Sequence, residues 1–443
     1  MATTKLYRTF GTPTNLDKWT CSVWVKRTKI ASEEFIFEGS SGASNFTDVR
    51  FDASDQIQFS NYNSGYLGKL VTNRLFRDLG AWYHIVAVWD SDNATPGDRM
   101  KLYVNGVEET SFATDTNPSS GEVCDMGSGS ICYVGVHQVS NAYFTGVMAH
   151  LHFCDGQAYA ASDFGETDAT SGIWIAKSGP SVTYGDNGLF LKFASGAFGT
   201  DSSGNSNTMT VGGTMTATKD TPDNNFATWN LLQNYYDPAT FANGNTKFTT
   251  TGSTGIHSFR TSTLGMSSGK WYCEILRGGT ADWACTGIAS RFPEASGDWL
   301  GNPVGNYSWD DWDGKVMTNN TTEVADWNPY DGDVIVMIGL DLDNNKLYLG
   351  QNGVWENSAD PAGGTGGASI SAPSDTFTGC YYFAAGDYDN GYGQIFNANF
   401  GNGYFGTTAV TSAVADGNGE GQFEYAPPTG FFALCTNNLG SES

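Results

Sequence analysis

The chain has 443 residues; 56 are glycine, 16% are charged and 14% are aromatic. Its formal net charge of −25 repels phosphate backbones and anionic lipids, so we expect no nucleic-acid partner and no membrane insertion. Glycine, aromatic and small polar residues suit short strands joined by tight turns, and no stretch keeps a helical period. The composition therefore predicts an all-β protein.

The N-terminal segment, residues 1–7, lacks the apolar core of a signal peptide. No apolar run reaches the ~20 residues of a membrane helix. Both observations predict synthesis in the cytoplasm without export by the general route. The eight cysteines form no CxxC pair, and most lie within apolar strand patterns. This arrangement predicts buried structural thiols and not a disulfide framework.

Residues 1–215 read as a first domain. Alternation or apolar character predicts strands there, and the stretch 82–89 is apolar on both faces, as expected of a strand covered on both sides. Residues 216–226 are polar and rich in turn formers, which predicts a linker. Residues 227–443 read as a second domain. The predicted strands lie at 20–26, 34–38, 49–52, 82–89, 146–153, 188–193, 270–275, 283–288, 334–340, 346–349, 380–385 and 431–435.

A hairpin pattern occurs twice. Residues 99–107 follow one apolar run and contain Asn105-Gly106, and residues 346–354 follow another and contain Asn352-Gly353. Asn-Gly between alternating strands is a strong hairpin signal because both residues tolerate positive φ. The repetition predicts two related β-sandwiches and favours a modular binding or structural protein.

Two family resemblances agree with this interpretation. Residues 19–26, 82–89 and 102–106 resemble a laminin-G-like, concanavalin-A-like jelly roll. Residues 269–275 and 331–353, together with Asn306 to Trp309, resemble a SPRY domain. The resemblance implies an all-β fold of two concanavalin-A-like jelly-roll β-sandwiches in tandem.

The combination also resembles tailed-phage virion proteins, notably from marine phages. The resemblance implies a non-enzymatic protein of the virion surface, either a capsid decoration or head fibre or a tail-fibre component. Its partners would be other virion proteins and host-surface polysaccharide, and it would be homo-oligomeric or multicopy. No heptad repeat precedes residue 20, which favours a compact protein over a long fibre. The blocks that carry the resemblance are residues 165–168, 172–174, 189–193, 201–205, 220–226 and 399–401.

An aromatic and acidic stretch is the best candidate for a glycan site. Aromatic faces attract sugar C–H groups, and carboxylates accept hydrogen bonds from hydroxyls. In the alternative, Trp309 is a core anchor, as the SPRY resemblance implies, and the aspartates only solvate a loop. The candidate ligand-binding residues are Trp309, Asp310, Asp311, Trp312, Asp313, Trp327 and Tyr330.

A calcium site is a second candidate binding site. Asp90, Asp92 and Asp98 cluster after the strand at 82–89. The laminin-G resemblance implies that such a rim could hold calcium, and a solvated turn is the alternative.

We predict no catalytic residues. The GxSxG pattern at 265–269 leads into a strand, whereas a hydrolase nucleophile needs a strand-to-helix turn. Concanavalin-A-like glycosidases often have the pattern Glu-x-Asp-x-x-Glu on one strand. Residues 33–38 come nearest to it but have Phe35 at the aspartate position. Two alternatives stay open: a polysaccharide-degrading enzyme whose carboxylates meet only in space, and a protein-binding adaptor that works through SPRY-like loops.

Overall fold

The computed structural model describes residues 4–234, 236–251, 257–279, 283–295, 297–388 and 393–441. The chain forms two compact units, Met1–Ala217 and Thr218–Ser443. Within the described residues the single α-helix is α1, Thr436–Ser441, and no helix there has the length and apolarity that a bilayer crossing requires. Of the N-terminal segment 1–7, residues 1–3 lie outside the described residues.

The described part of unit 1 consists of an eight-stranded and a six-stranded antiparallel sheet, with a small pair beside them. Its strands are β1 (Lys5–Thr9), β2 (Lys18–Arg27), β3 (Glu34–Gly42), β4 (Asn45–Phe51), β5 (Ile57–Asn63), β6 (Tyr66–Thr72), β7 (Tyr83–Asp90), β8 (Met100–Val104), β9 (Val107–Glu108), β10 (Phe112–Thr116), β11 (Ile131–Val134), β12 (Gly146–Asp155), β13 (Gly165–Thr167), β14 (Trp174–Ala176), β15 (Leu189–Leu191) and β16 (Thr210–Gly212), with 3-10 turns at Pro96–Asp98 and Ala161–Asp163. The strand orders are β10-β6-β5-β4-β3-β11-β1-β16, β15-β12-β2-β7-β8-β9 and β13-β14.

The central strand β7 shows why this unit is a sandwich. Ile85 and Trp89 point into the main core, which also takes Phe37 and Phe59 from the eight-stranded sheet. The alternate residue Val86 packs on the other face in a second apolar cluster. Side chains alternate between faces along a strand, so a strand covered on both sides must be apolar throughout. The prediction that residues 82–89 are covered on both faces is confirmed.

The described part of unit 2 also pairs two large sheets. Its strands are β17 (Thr240–Ala242), β18 (Lys247–Thr249), β19 (Ser258–Thr261), β20 (Lys270–Gly278), β21 (Ala284–Ala289), β22 (Tyr307–Asp310), β23 (Lys315–Thr318), β24 (Thr322–Asp326), β25 (Val334–Asp341), β26 (Lys346–Gln351), β27 (Val354–Trp355), β28 (Ala368–Ser369), β29 (Tyr382–Asp387), β30 (Ile395–Asn399), β31 (Tyr404–Phe405), β32 (Thr408–Ala409) and β33 (Phe432–Ala433), with 3-10 turns at Leu231–Gln233, Glu356–Ser358 and Pro373–Asp375. One sheet has the order β17-β18-β30-β20-β25-β26-β27, with β28 beside β26 and β33 beside β20; the other has the order β19-β29-β21-β22-β23-β24.

The core of unit 2 is aromatic. Trp271 and Ile338 from the first sheet meet Trp309 and Phe383 from the second, and all four are almost fully buried. All eight cysteines of the chain lie among the described residues as free thiols, and seven of them are buried. The end of the predicted linker segment belongs to this unit, because Phe226 is buried in an apolar cluster there.

The two predicted hairpins share one set of hydrogen bonds. The Asn105 amide donates to the His84 carbonyl at 2.9 Å, and Asn105 Oδ1 accepts from the His84 amide at 2.7 Å. Asn352 makes the same two bonds with Ile335, at 2.9 and 3.0 Å. The asparagine side chain thus links the first Asn-Gly turn to β7 and the second to β25.

The glycines of these turns are required by conformation and by space. Gly106 has φ +82° and Gly353 has φ +87°, in the left-handed region that favours glycine. A Cβ on Gly106 would lie 2.6 Å from the ring of Trp174, and one on Gly353 would lie 2.9 Å from the ring of Tyr425. Each turn therefore packs against an aromatic ring from a later segment of its own unit.

Candidate functional site

The seven residues predicted as one surface site do not share a surface. Trp309 and Tyr330 are 0% exposed, and their rings pack 4.6 Å apart in the core. Trp327 is partly buried and meets Trp309 edge-on. Among the seven, Trp312 is the exposed aromatic, at 55%. The prediction that Trp309 and Tyr330 contact a ligand is corrected to the alternative of core anchors, because side chains at Trp309 and Asp310 point to opposite faces of β22.

Asp311 is buried and supports the backbone. Its Oδ2 accepts from Arg277 Nη2 at 2.8 Å, and its Oδ1 accepts from the Trp283 amide at 2.6 Å. Both side chains of the ion pair are at most 1% exposed. Burial raises the pKa of Asp311 to about 6, while Arg277 acts in the opposite direction. Asp311 therefore positions Trp283 and is not available to a ligand.

Four aromatic side chains form what we call the aromatic row: His257, Tyr388, Trp283 and Trp312. They stand at the same end of the adjacent strands β19, β29, β21 and β22. Successive ring centroids are 5.0, 5.4 and 5.1 Å apart, with interplanar angles of 30°, 29° and 14°. Because neighbouring strands lie about 4.8 Å apart, one ring per strand gives a stacked row.

Backbone hydrogen bonds fix the row beyond the ends of the strands. The Tyr388 amide donates to the Trp283 carbonyl at 2.8 Å, and the Asp311 amide donates to the Ala284 carbonyl at 3.0 Å. Trp283 has φ +84°, which a bulky residue rarely adopts. The bond from its amide to Asp311 holds it there. The ring of Trp299 packs edge-on against Tyr388 at 4.7 Å.

The stacking decides which ring surfaces a ligand could reach. The planes of Trp283 and Trp312 lie within 14° of each other, so these indoles cover one another's faces. The row therefore presents edges along its length and ring faces at its ends. At one end stands Trp312, which is 55% exposed and stacks on Trp283. An indole face carries partial negative charge and attracts the C–H groups of a sugar ring.

Two carboxyl groups flank Trp312. Asp310 Oδ1 accepts from Ser308 Oγ at 2.7 Å, and Asp313 forms an ion pair with Lys315 at 3.3 Å. Burial, reinforced by the charges of Asp313 and Asp311, raises the pKa of Asp310 to about 8. At neutral pH the Asp310 carboxyl is therefore mostly protonated, so it offers both a donor and an acceptor next to the exposed indole.

The predicted calcium ligands are not brought together. Asp90 forms an ion pair with Lys18 at 3.3 Å, and Asp98 forms one with Lys101 at 2.9 Å. Among the described residues no group of three or more His, Cys, Asp and Glu side chains could hold a metal ion. The acidic character of Asp90, Asp92 and Asp98 thus goes into ion pairs and a solvated turn, the alternative that the sequence left open.

A buried serine–histidine contact in unit 1 is arranged against nucleophilic chemistry. Ser22 Oγ lies 2.8 Å from His84 Nε2, and Trp174 Nε1 donates to His84 Nδ1 at 3.0 Å. Indole nitrogen is only a donor, so Nδ1 is unprotonated and Nε2 carries the proton. His84 therefore donates to Ser22 instead of accepting its proton. Burial lowers the pKa of His84 to about 3.

Sequence reasoning did not identify Trp283, Tyr388 and His257 as partners of Trp312. They lie far apart along the chain, and only strand pairing brings their rings into one row. One local signal was present, because Trp283 is the first residue of the predicted strand 283–288. In the structure Tyr388 directly follows β29, and side chains at the ends of strands reach the rim of a sheet.

Comparison with known proteins places the fold. The family described as "Concanavalin A-like lectin/glucanases superfamily" matches residues 5–162, about a third of the chain and all within unit 1. Together with the paired sheets of both units, this match shows an all-β protein of two β-sandwiches in tandem, the first of which is similar to concanavalin A-like domains. The predicted fold class is confirmed. No curated protein matches the chain.

Three solved structures illustrate the structural likeness. The SPRY domain of human HERC1 is 14% identical, with 36% of this chain and 91% of that chain covered and a TM-score of 0.29. Domain 4 of the arabinanase AbnA from Geobacillus stearothermophilus, in complex with arabinotriose, is 18% identical, with 32% of this chain and 63% of that chain covered and a TM-score of 0.25. Domains LG4-5 of the mouse laminin alpha1 chain are 10% identical, with 89% of this chain and 85% of that chain covered and a TM-score of 0.28. At these scores none of the three bears on what this chain binds.

Proposed function

We propose that the chain is a non-enzymatic carbohydrate-binding protein and that its ligand stacks on Trp312. The observation that carries the proposal is an indole 55% exposed to solvent, supported from behind by Trp283 and so by the whole aromatic row. A free tryptophan at a surface would lose side-chain freedom when a ligand binds, and the stack removes part of that cost in advance. Asp310 lies beside it to hydrogen-bond a sugar hydroxyl.

The placement of the carboxyl groups at this site supports binding more than catalysis. Asp310 is the last residue of β22 and Asp311 follows it in the turn, where Asp311 is bound to buried Arg277. Glycosidase chemistry needs two carboxyl groups on either side of one bond. The neighbouring carboxyl groups at Trp312 lack that arrangement, which supports a binding role without chemistry.

Placement of the protein on a phage virion is part of the same proposal. It rests on the sequence blocks that resemble tailed-phage proteins. One stacked ring binds a sugar weakly, so a single copy would attach poorly to a host polysaccharide. Many copies on one particle raise the effective concentration of the second and later contacts. Immunogold labelling of intact virions tests the placement, and label on neither head nor tail would contradict it.

Binding is tested with Trp312→Ala in the full chain. We expect the affinity for a bound glycan to fall about 5- to 150-fold, because stacking on an aromatic ring is worth about 1–3 kcal/mol in comparable recognition of flat ligands. Affinity electrophoresis in polysaccharide gels measures the loss. Phe377→Ala is the matched control, since Phe377 is 68% exposed in the same unit but lies outside the row.

Two outcomes would contradict the proposal. One is equal retardation of wild type and the Trp312→Ala variant by every polysaccharide that binds the chain. The other is release of soluble oligosaccharides from a polysaccharide during incubation, which would support the enzyme alternative instead.

A further inference from the structure

We infer that the glycan held at the aromatic row is uncharged and that acidic polysaccharides are disfavoured there. This inference rests on the proposed function, because it names the class of ligand for the same site. It depends on how charge is distributed around the four rings and Trp299.

Three of the segments that supply rings to the site, those with Trp312, Tyr388 and Trp299, also supply a carboxyl group among the described residues. Asp310 and Asp313 flank Trp312, Asp387 precedes Tyr388 and Asp298 precedes Trp299. Asp387 is buried beneath the row, while Asp310, Asp313 and Asp298 are partly exposed. The rim of the aromatic row therefore carries oxygen acceptors, and its negative charge comes from Asp313 and Asp298, because Asp310 is mostly protonated at neutral pH.

Two cations contact the aspartates that follow and precede Trp312, and both are already in ion pairs. Arg277 is buried against Asp311 at 2.8 Å, and Lys315 contacts Asp313 at 3.3 Å and Glu323 at 3.9 Å. Recognition of a uronate or sulfate uses an arginine or lysine directed at the anion. At Trp312 such a group would have to leave an existing ion pair, and the carboxylate left behind would then repel the ligand.

The charge of the whole unit acts in the same direction. Residues 218–443 contain 25 Asp and Glu against eight Lys and Arg, whereas residues 1–217 contain 22 against 14. The unit that carries the aromatic row thus holds most of the net negative charge. A field of one sign reduces the local concentration of ligands with the same sign, and salt screens it.

The two physical effects make different demands on a ligand. Stacking on Trp312 needs C–H groups, which neutral and acidic sugars both have. Repulsion acts only on the acidic sugar, at about 1 kcal/mol or less per charge in water, or a few-fold in affinity. Selectivity for neutral glycans would therefore come from repulsion of the wrong ligand and not from added contacts with the right one.

A glycan array tests the inference with the full chain. The array pairs neutral oligosaccharides with versions of the same backbone that carry uronic acid or sulfate. We expect the signal lost in Trp312→Ala to lie mainly on the neutral members, with the acidic members about threefold weaker or more at 10 mM salt. The gap should close at 1 M salt, where the screening length falls from about 30 Å to about 3 Å.

A pair of variants sharpens the test. Asp313→Asn should narrow the ratio of neutral to acidic signal about twofold at 10 mM salt. Asp360→Asn removes an exposed carboxylate from a separate turn of the unit and should leave the ratio unchanged within error.

The outcomes separate this inference from the proposed function. Acidic members bound as well as neutral ones, with both signals lost in Trp312→Ala, would overturn the charge selectivity and keep the glycan site. A ratio that does not change with salt would also overturn it. No Trp312-dependent signal on any member would overturn the proposed function itself.

Discussion

Each unit has a series of neighbouring aromatic rings on the sheet that lacks the repeated hairpin. The two series differ in whether the last ring is covered by a cation or exposed to solvent. In unit 1 the rings of Phe35, His137, Phe46 and Tyr62 follow one another at 4.4, 5.1 and 5.1 Å. In unit 2 the aromatic row has the same spacing, 5.0 to 5.4 Å. In unit 2 the spacing follows from the distance between neighbouring strands, whereas in unit 1 only Phe46 and Tyr62 are paired directly across strands, so similar spacing does not itself indicate function.

The ends of the two series differ in what covers them. In unit 1 the guanidinium of Arg50 lies over the Phe35 ring at 4.7 Å, and Lys69 lies over Tyr66 at 4.0 Å. Arg50 also forms a buried ion pair with Asp48 at 2.8 Å. In unit 2 the last ring, Trp312, is exposed. In unit 1 side chains of the protein itself cover the end rings. In unit 2 the exposed ring of Trp312 leaves surface that a ligand could contact.

The largest expected effect separates the support of the row from its surface. Asp311→Ala removes the 2.8 Å ion pair of the buried Arg277, which costs about 3–5 kcal/mol of unfolding free energy. Chemical denaturation measures the loss. Asp313→Ala, which breaks a half-exposed pair, should cost about 1 kcal/mol or less. Equal losses in the two variants would contradict the assignment of Asp311 as the buried support.

The repeated turns allow a comparison between units. Gly106→Ala and Gly353→Ala each force a left-handed alanine, worth about 1–2 kcal/mol, and each pushes a methyl group against a ring. Gly121→Ala is the control, because its φ is +71° but no atom lies within 4 Å of an added Cβ. We expect both turn variants to lower the unfolding free energy more than Gly121→Ala. A loss no greater than that of the control would mean that Trp174 and Tyr425 yield freely.

Asp310 should make stability depend on pH. Its pKa is raised to about 8 in the folded state, from 3.8, so ionisation opposes folding. Its contribution is complete below about pH 4 and is lost as pH rises from 4 towards 8, with a slope of at most about 1.4 kcal/mol per pH unit. Asp310→Asn should flatten the profile across this window. Parallel profiles of wild type and variant in denaturant titrations would contradict the raised pKa.

The smallest effect on stability is expected where the effect on binding is largest. Trp312→Ala removes one exposed ring from the end of a stack, which costs about 0.5–1.5 kcal/mol. Thermal unfolding of the variant should therefore remain cooperative. A collapse of the fold would identify Trp312 as a structural residue and would remove the contrast with the covered end rings of unit 1.

The sequence by itself determined the local elements. The Asn-Gly pairs predict both hairpins because the turn conformation and the residues that tolerate it are local properties, and the structure places Asn105 and Asn352 in matching bonds. The run 82–89 predicts a strand covered on both faces for the same reason. Alternation along β22 also contained a usable signal: Trp309 and Trp312 cannot share a face when Asp311 and Trp309 point inward.

Only the tertiary structure decided the site. Residues 257, 283, 312 and 388 become neighbours through the pairing of β19, β29, β21 and β22, which no local period encodes. The same pairing turns Asp311 from a predicted ligand into the partner of Arg277. Strand register arises from hydrogen bonds and core packing between distant segments. Short-range patterns therefore predict which strands form, and long-range pairing decides which side chains meet at a rim.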